Sequence, residues 1–344
     1  MSNDIRSKQF IKIFRQEDGF YESMVQRVYR QIKKVDEEAT VTIATSKTQV
    51  SAIHNQLGED VGISVEPCRR DTFPAIALAT AYLVDVMGVS SEESVVVCPV
   101  DPYVEADYFE ALKQLSVQAD TGEANLVLMG IEPTYPSEKY GYIIPVSSDQ
   151  TAMVATFKEK PSMEVAKEYI MQGALWNGGV FAYKLKYVME IAHKLIDFTD
   201  YQDLFAKYAT LSKISFDYAV VEKEDKIQVQ RFAGQWKDLG TWNTLTEAME
   251  DAIVGKGILN DNCINVHIVN EMEIPILAMG LHDVVISGKG KTIIDGVERF
   301  IKVGDVVTMP AGCCHMVTAQ TELKMIEIQL GSEINVHDKQ KVKL

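Results

Sequence analysis

The 344-residue chain carries 49 acidic against 34 basic side chains, a net charge of −15 at neutral pH, and 47% of it is hydrophobic. That length supports one large domain or two ordinary ones with a full core, and the acidic balance excludes a basic face of the kind that holds nucleic acid or a membrane surface. No apolar run approaches the roughly 20 residues of a membrane span, and residues 1–14 lack the apolar core of a signal peptide, so a cytoplasmic location is expected.

The opening stretch, MSNDIRSKQFIKIF, places Lys8 between a polar segment and an apolar alternation. It reads as the exit of a loop, with Lys8 as half of a phosphate site. Phe20, Met24, Val25, Val28 and Ile32 then fall at helical spacing, and the β-branched run Ala39 to Thr45 reads as a strand. Strands are expected at Ser94 to Cys98, Asn125 to Ile131, Met153 to Phe157, Gly179 to Tyr183 and Ile227 to Arg231. Helices are expected at Ala75 to Met87, Val104 to Leu115, Val165 to Met171, Leu185 to Leu195 and Trp242 to Ile253. The alternation is that of an α/β layered domain. After Val254 the texture changes to short apolar alternations broken by Gly and Asn, which signals a small all-β appendage. The domains expected are therefore 1–254 and 255–344. Cys68, Cys98, Cys263, Cys313 and Cys314 form no C-x-x-C pair and no metal-ligand spacing with the histidines, so reduced thiols are expected, Cys98 as inert packing.

Several stretches carry candidate chemistry. In SVVVCPVDPY an apolar strand runs directly into Asp101, at the carboxyl end where α/β sheets bind ligands. A carboxylate there can hold Mg²⁺ against phosphates, and the same pattern fits a turn aspartate between two prolines. EPCRRDTFPAIALA sets two arginines ahead of a helix whose first N–H groups could receive a phosphate or a purine edge, and it also fits a plain helix start capped by Asp71 or Thr72. In FKEKP, Glu159 could accept from sugar hydroxyls while Lys160 neutralises a phosphate; solvated charges at a strand end are the alternative. WNGGVF and WKDLGTW hold all three tryptophans, a clustering that suggests flat apolar faces for a sugar beside Asn177 and Asp238. GDVVTMPAGCCH contains the G-x5-P-x-G-x-x-H spacing of a second cupin motif, but the upstream His267 and His282 do not complete a metal set. His315 is therefore expected to be structural or vestigial.

In order and spacing these stretches resemble the mannose-1-phosphate guanylyltransferase family over about residues 3–250. These are sugar nucleotidyltransferases whose bacterial members often carry a C-terminal mannose-6-phosphate isomerase-like cupin. The landmarks are RSKQF at Arg6, EPCRRDTFPAIALA at Glu66, PVDPY at Pro99, EPTYPSEKYGYI at Glu132, FKEKP at Phe157, WNGGVF at Trp176, SFDYAVVE at Ser215 and WKDLGTW at Trp236. The resemblance implies a Rossmann-like, GT-A-like mixed sheet with a partial cupin behind it, and GTP and mannose 1-phosphate as substrates. By the same resemblance Lys8 touches phosphate, Arg70 and Thr72 lie near the guanine nucleotide, Asp101 and Asp238 hold Mg²⁺, and Gly141, Glu159, Lys160 and Asn177 line the sugar phosphate.

Two departures from the family pattern stand out. The family's first strand and G-G-x-G-x-R loop, expected ahead of Ser2, are missing, so the sheet is expected to lack that strand and the chain as written to turn over poorly. The first cupin strands are missing near Ser287, which leaves half a barrel whose edges are expected to be covered by the main domain or by a second chain, as in a homodimer. The expected reaction is GTP plus mannose 1-phosphate to GDP-mannose and pyrophosphate. The alternatives are a non-catalytic sugar-phosphate or nucleotide binder and a cupin-type mannose-6-phosphate isomerase working through His315.

Overall fold

The structure, a computed structural model, describes residues 7–270, 276–279, 281–286, 289–294, 297–302 and 315–319. It divides into two compact units, one spanning Asp4–Ala248 and the other containing the chain from Met249 onward.

The first unit opens with a hairpin, β1 (Phe14–Arg15) and β2 (Tyr21–Glu22), which takes in the Phe20 end of the expected helix; helix α1 (Met24–Val35) follows. Its start is fixed by a capping box in which Ser23 accepts from the Gln26 N–H and the Gln26 side chain returns to the Ser23 N–H. Next come β3 (Thr42–Ser46), α2 (Val50–Leu57), β4 (Gly62–Glu66), α3 (Thr72–Ala81), β5 (Ser94–Val97), β6 (Pro102–Val104) and α4 (Ala106–Thr121). Then come β7 (Leu126–Ile131), β8 (Tyr142–Pro145), β9 (Thr151–Lys158), α5 (Met163–Met171), β10 (Leu175–Lys184), α6 (Leu185–Leu195), α7 (Tyr201–Lys207) and α8 (Phe216–Ala219). β11 (Ile227–Phe232), β12 (Trp236–Asp238) and α9 (Trp242–Thr246) complete the unit. The helix expected from Trp242 to Ile253 thus stops at Thr246, and Ile253 is already in a strand.

Six strands form a mixed sheet in the order β5-β10-β7-β11-β9-β8, with β8 also bonding to β10. β7 and β11 run parallel and the other pairings are antiparallel. β3 and β4 make a separate parallel pair, and β6 and β12 an antiparallel ribbon. Every residue of β7 is buried, because its two faces feed two cores. Val127, Met129 and Ile131 meet Tyr108, Leu112 and Leu115 of α4 on one side. Leu126 and Leu128 meet Phe73 and Ile76 of α3 and Phe216 of α8 on the other. Side chains of period two pointing alternately to opposite faces account for this continuous apolar run. Each such aliphatic side chain contributes about 1.5–3 kcal/mol by leaving water. Gly130 lets the layers close, since a Cβ there would lie 2.5 Å from Leu175 Cδ1 and 2.6 Å from Val229 Cγ2.

The second unit is all-β in its described residues. β13 (Ile253–Gly255), β14 (Gly257–Leu259), β15 (Ile264–Asn270), β16 (Ile276–Ala278) and β17 (His282–Ile286) pair in parallel, as β13-β15-β17 and β14-β16. Val266, Ile268, Ile276 and Ala278 fill its interior. Gly255 turns the chain at φ +87°, where any Cβ would collide with the Asn270 carbonyl. β18 (Lys289–Ile294), β19 (Val297–Lys302) and β20 (His315–Ala319) form an antiparallel trio in which His315 stands opposite Ile294. Among the described residues, this trio is all that falls within the cupin expectation. Residues 304–314 of the GDVVTMPAGCCH stretch, with Cys313 and Cys314, lie outside the described residues. Among the described residues no helix is long and apolar enough to cross a membrane.

Candidate active site

Three groups of candidate residues lie in the first unit, each at the end of a strand or the start of a helix. The first is built on the β6–β12 ribbon. Asp238 is opposite Pro102, which places it one residue along from Asp101. Lys8 spans both strands, its Nζ donating to Asp101 Oδ2 at 3.0 Å and to the Leu239 carbonyl at 3.0 Å. The ammonium is 13% exposed and the carboxylate 42%, so the pair sits at the mouth of the site. Arg27 of α1 braces the ribbon from behind, donating to the Val104 carbonyl at 2.6 Å with its guanidinium 4.7 Å from the Tyr103 ring centroid. Gly240 keeps the space before Asp238 open, because a Cβ there would come within 3.1 Å of Oδ2. Below the ribbon, burial pushes the Cys98 thiol up to about 11, so it remains a packing group.

The second group gathers Gly141, Glu159, Lys160 and Asn177. β8 and β10 pair at Tyr142 and Trp176, and the Asn177 N–H extends that ladder to the Gly141 carbonyl at 2.8 Å. Asn177 is the last β10 residue in register with β7, opposite Gly130, before the register shifts between Asn177 and Phe181, with Gly179 at φ +71° inside the irregularity. Its amide is then held at both ends: Oδ1 accepts from the Gly179 N–H at 3.1 Å and Nδ2 donates to Asp217 Oδ1 at 2.6 Å.

Glu159 is buried, and Lys160 folds back on it with Nζ 2.6 Å from Oε1. Consecutive strand residues normally point to opposite faces. Here Lys160 adopts φ +44° immediately before Pro161, a left-handed conformation that brings both charges to one side. The pairing raises the Lys160 pKa. A Cβ on Gly141 would lie 2.5 Å from Glu159 Oε2 and 2.9 Å from Phe157 Cζ, so only glycine leaves the carboxylate accessible on that side.

The third group is the start of α3. Asp71 caps it by accepting from the Thr72 N–H at 2.8 Å, Thr72 Oγ1 accepts from the Phe216 N–H at 2.8 Å, and Arg70 donates to the Ala209 carbonyl. The Arg70 Nε is a buried donor with no partner.

Contacts link the three groups. Thr72 and Asn177 are bound by successive residues of α8, Phe216 and Asp217. Tyr140, next to Gly141, packs on Trp236 with centroids 5.5 Å apart, and it feels the charge of Asp238. Burial is the main reason its hydroxyl pKa is raised.

Asp217, the acceptor for Asn177, has no signal in the sequence beyond its place in SFDYAVVE, where an acid two residues after Ser215 looks like an ordinary helix start. The sequence reading overvalued the tryptophans. Trp176 is 3% exposed, donates Nε1 to the Tyr142 hydroxyl at 3.1 Å, and belongs to the core, so it offers no face to a sugar. Trp236 is half-buried with its Nε1 unpartnered, and the Trp242 side chain lies outside the described residues.

For a divalent cation the donor set is two carboxylates on one ribbon. Among the described residues no third Asp, Glu, His or Cys joins them. That suits Mg²⁺, which is bound through one or two carboxylates and completes its shell with water and substrate phosphate oxygens.

The nucleotidyl transferase family matches residues 6–254. A mannose-1-phosphate guanylyltransferase of Klebsiella pneumoniae is 27% identical over 335 residues, covering 87% of this chain and 68% of the relative. Xanthan biosynthesis protein XanB of Xanthomonas campestris pv. campestris is 27% identical over 339 residues, 90% of this chain and 69% of the relative. Among solved structures, a mannose-1-phosphate geranyltransferase from Thermus thermophilus superimposes with a TM-score of 0.64 at 26% identity, over 83% of this chain and 86% of that one. A mannose-6-phosphate isomerase from Helicobacter pylori shares the fold, with a TM-score of 0.55 at 21% identity, over 69% of this chain and 97% of that one. With nearly three quarters of its length matched, and the mixed sheet and strand-end site in that same part, the chain belongs to the nucleotidyl transferase family.

Proposed function

We propose that the chain is a mannose-1-phosphate guanylyltransferase, converting GTP and mannose 1-phosphate to GDP-mannose and pyrophosphate. The carrying observation is the continuity of the three groups: an acidic ribbon with Lys8, an acid–base–amide pocket, and a helix start with Arg70, joined through Tyr140 and α8. The choice of hexose and base is supported by the names of the relatives.

In this reading the sugar hydroxyls donate to Glu159 and accept from Asn177, while Lys160 screens the sugar phosphate. Arg70 and Thr72 lie along the nucleotide. Lys8 draws phosphate oxygens toward Asp101. Asp101 and Asp238 would hold Mg²⁺, which supplies charge neutralisation for the reacting phosphates when bound. A phosphate oxygen of the sugar attacks the α-phosphorus of GTP, one P–O bond forms as the bond to the β-phosphate bridging oxygen breaks, and pyrophosphate leaves with that electron pair. No covalent enzyme intermediate is needed, so rate comes from holding two anions in line.

The test is to incubate the chain with Mg²⁺, mannose 1-phosphate or glucose 1-phosphate, and each of the four common nucleoside triphosphates. Formation of GDP-mannose and pyrophosphate in equal amounts, with the guanosine and mannose pair preferred, is expected. A preference for another base or hexose would overturn the assignment, and sugar-phosphate binding without any product would favour a non-catalytic binder.

A further inference from the structure

We propose that Asp217 is a positioning residue for the sugar-phosphate end of the site, fixing the Asn177 amide so that it can meet a sugar hydroxyl; the inference rests on the reading above. A side-chain amide can turn end for end, exchanging acceptor for donor. Here the Gly179 N–H holds Oδ1 and Asp217 holds one hydrogen of Nδ2, so rotation is stopped and the second Nδ2 hydrogen has a defined direction. Asp217 is itself fixed by its short helix: Ser215 accepts from the Tyr218 N–H at 3.2 Å, and the Phe216 N–H is bound to Thr72.

The charged surroundings argue that this carboxylate serves a purpose other than stability. Glu159 and Lys160 face it from the end of β9, Asn177 from β10, and Tyr218 adjoins it in α8; Glu222, from the turn after α8, accepts from the Glu159 N–H at 3.4 Å. Two carboxylates thus share one ammonium, in a place where burial first, and the Glu159 charge second, push the Asp217 pKa up to about 6 despite the Asn177 hydrogen bond. An apolar side chain would fill this position at lower electrostatic cost, but it would leave the Asn177 amide without its acceptor.

The experiment uses the full chain and has two readouts. Without ligand, the Asn177 side-chain NH₂ resonances should shift between pH 5 and pH 8 with a midpoint at about 6, and Asp217→Asn should abolish that titration. In turnover, Asp217→Ala should raise KM for mannose 1-phosphate by about tenfold with kcat almost unchanged, whereas Asp217→Asn, whose Oδ1 still accepts from Asn177, should stay near wild type. A flat Asn177 titration, an unchanged KM in Asp217→Ala, or equal damage from Ala and Asn would each overturn the proposal. If the Ala variant does not fold, the resonance titration of wild type and Asp217→Asn decides. If wild type uses no sugar phosphate at all, the functional reading fails, while the resonances still report whether Asp217 holds Asn177.

Discussion

The two ends of the proposed site solve the problem of holding anions in opposite ways. At the ribbon end, the Asp101 side chain is 42% exposed and already pairs with Lys8, so its charge is balanced before any ligand arrives. At the pocket end, Glu159 is buried and paired with Lys160, and Asp217 is half-buried beside that pair and holds the Asn177 amide in place. The ribbon thus holds its charges by one exposed ion pair, whereas the pocket is preorganised by hydrogen bonds and keeps two carboxylates close together.

Breaking the ribbon should have the largest effect. Asp101→Asn or Asp238→Asn should lower kcat by at least about a hundredfold, about 2.7 kcal/mol of transition-state stabilisation, with stability nearly unchanged. Steady-state kinetics at saturating substrate, with a thermal melt alongside, checks this.

The pocket should answer in stability first. The Asp217 pKa is raised in the folded chain from 3.8 to about 6. Its contribution to stability is therefore fully present below pH 3.8, and is lost as the pH rises through about 6, where an ionised carboxylate must stay buried. Asp217→Asn should accordingly raise stability at pH 8 by up to about 3 kcal/mol and give little advantage at pH 4. Denaturant titrations at both pH values test it, and a variant destabilised at pH 8 would contradict that expectation.

Much of this arrangement was legible in the sequence, and the failures have physical reasons. The strand of Leu126–Ile131 and the helix of Leu185–Leu195 could be read because burial imposes a period that survives in the side chains. FKEKP alone fitted solvated strand-end charges as well, and WNGGVF was noted for its tryptophan, so both gained weight only as landmarks in an ordered series. Asp217 did not, since an acid in a helix's first turn and one that bonds a distant amide look the same along the chain. Trp176 misled because an aromatic residue near polar groups suits a core edge as well as a sugar face. The parallel pairing of 253–286 was invisible, because an alternation of period two carries no information on the direction of the partner strand.

Filling the pocket should have a smaller effect. Gly141→Ala brings a methyl against Glu159 and Phe157, so KM for the sugar phosphate should rise about tenfold, for a strain of about 1–3 kcal/mol, while KM for the nucleotide changes little. Smallest of all, Ser23→Ala removes the α1 capping box and the Ser23 bond to Gln56, one turn before Arg27, and should cost about 1 kcal/mol of stability with kinetic constants little changed. It serves as the control for variants that merely loosen the fold.

If the two ends divide the work between nucleotide and sugar phosphate, separate saturation kinetics for each substrate should tell them apart. Asp101→Asn and Asn177→Ala are compared with wild type, varying GTP and mannose 1-phosphate in turn at constant Mg²⁺. The account predicts that Asp101→Asn loses kcat with KM for mannose 1-phosphate nearly unchanged, and that Asn177→Ala raises that KM while KM for GTP stays constant. Loss of the same parameter, to the same extent, in both variants would contradict it.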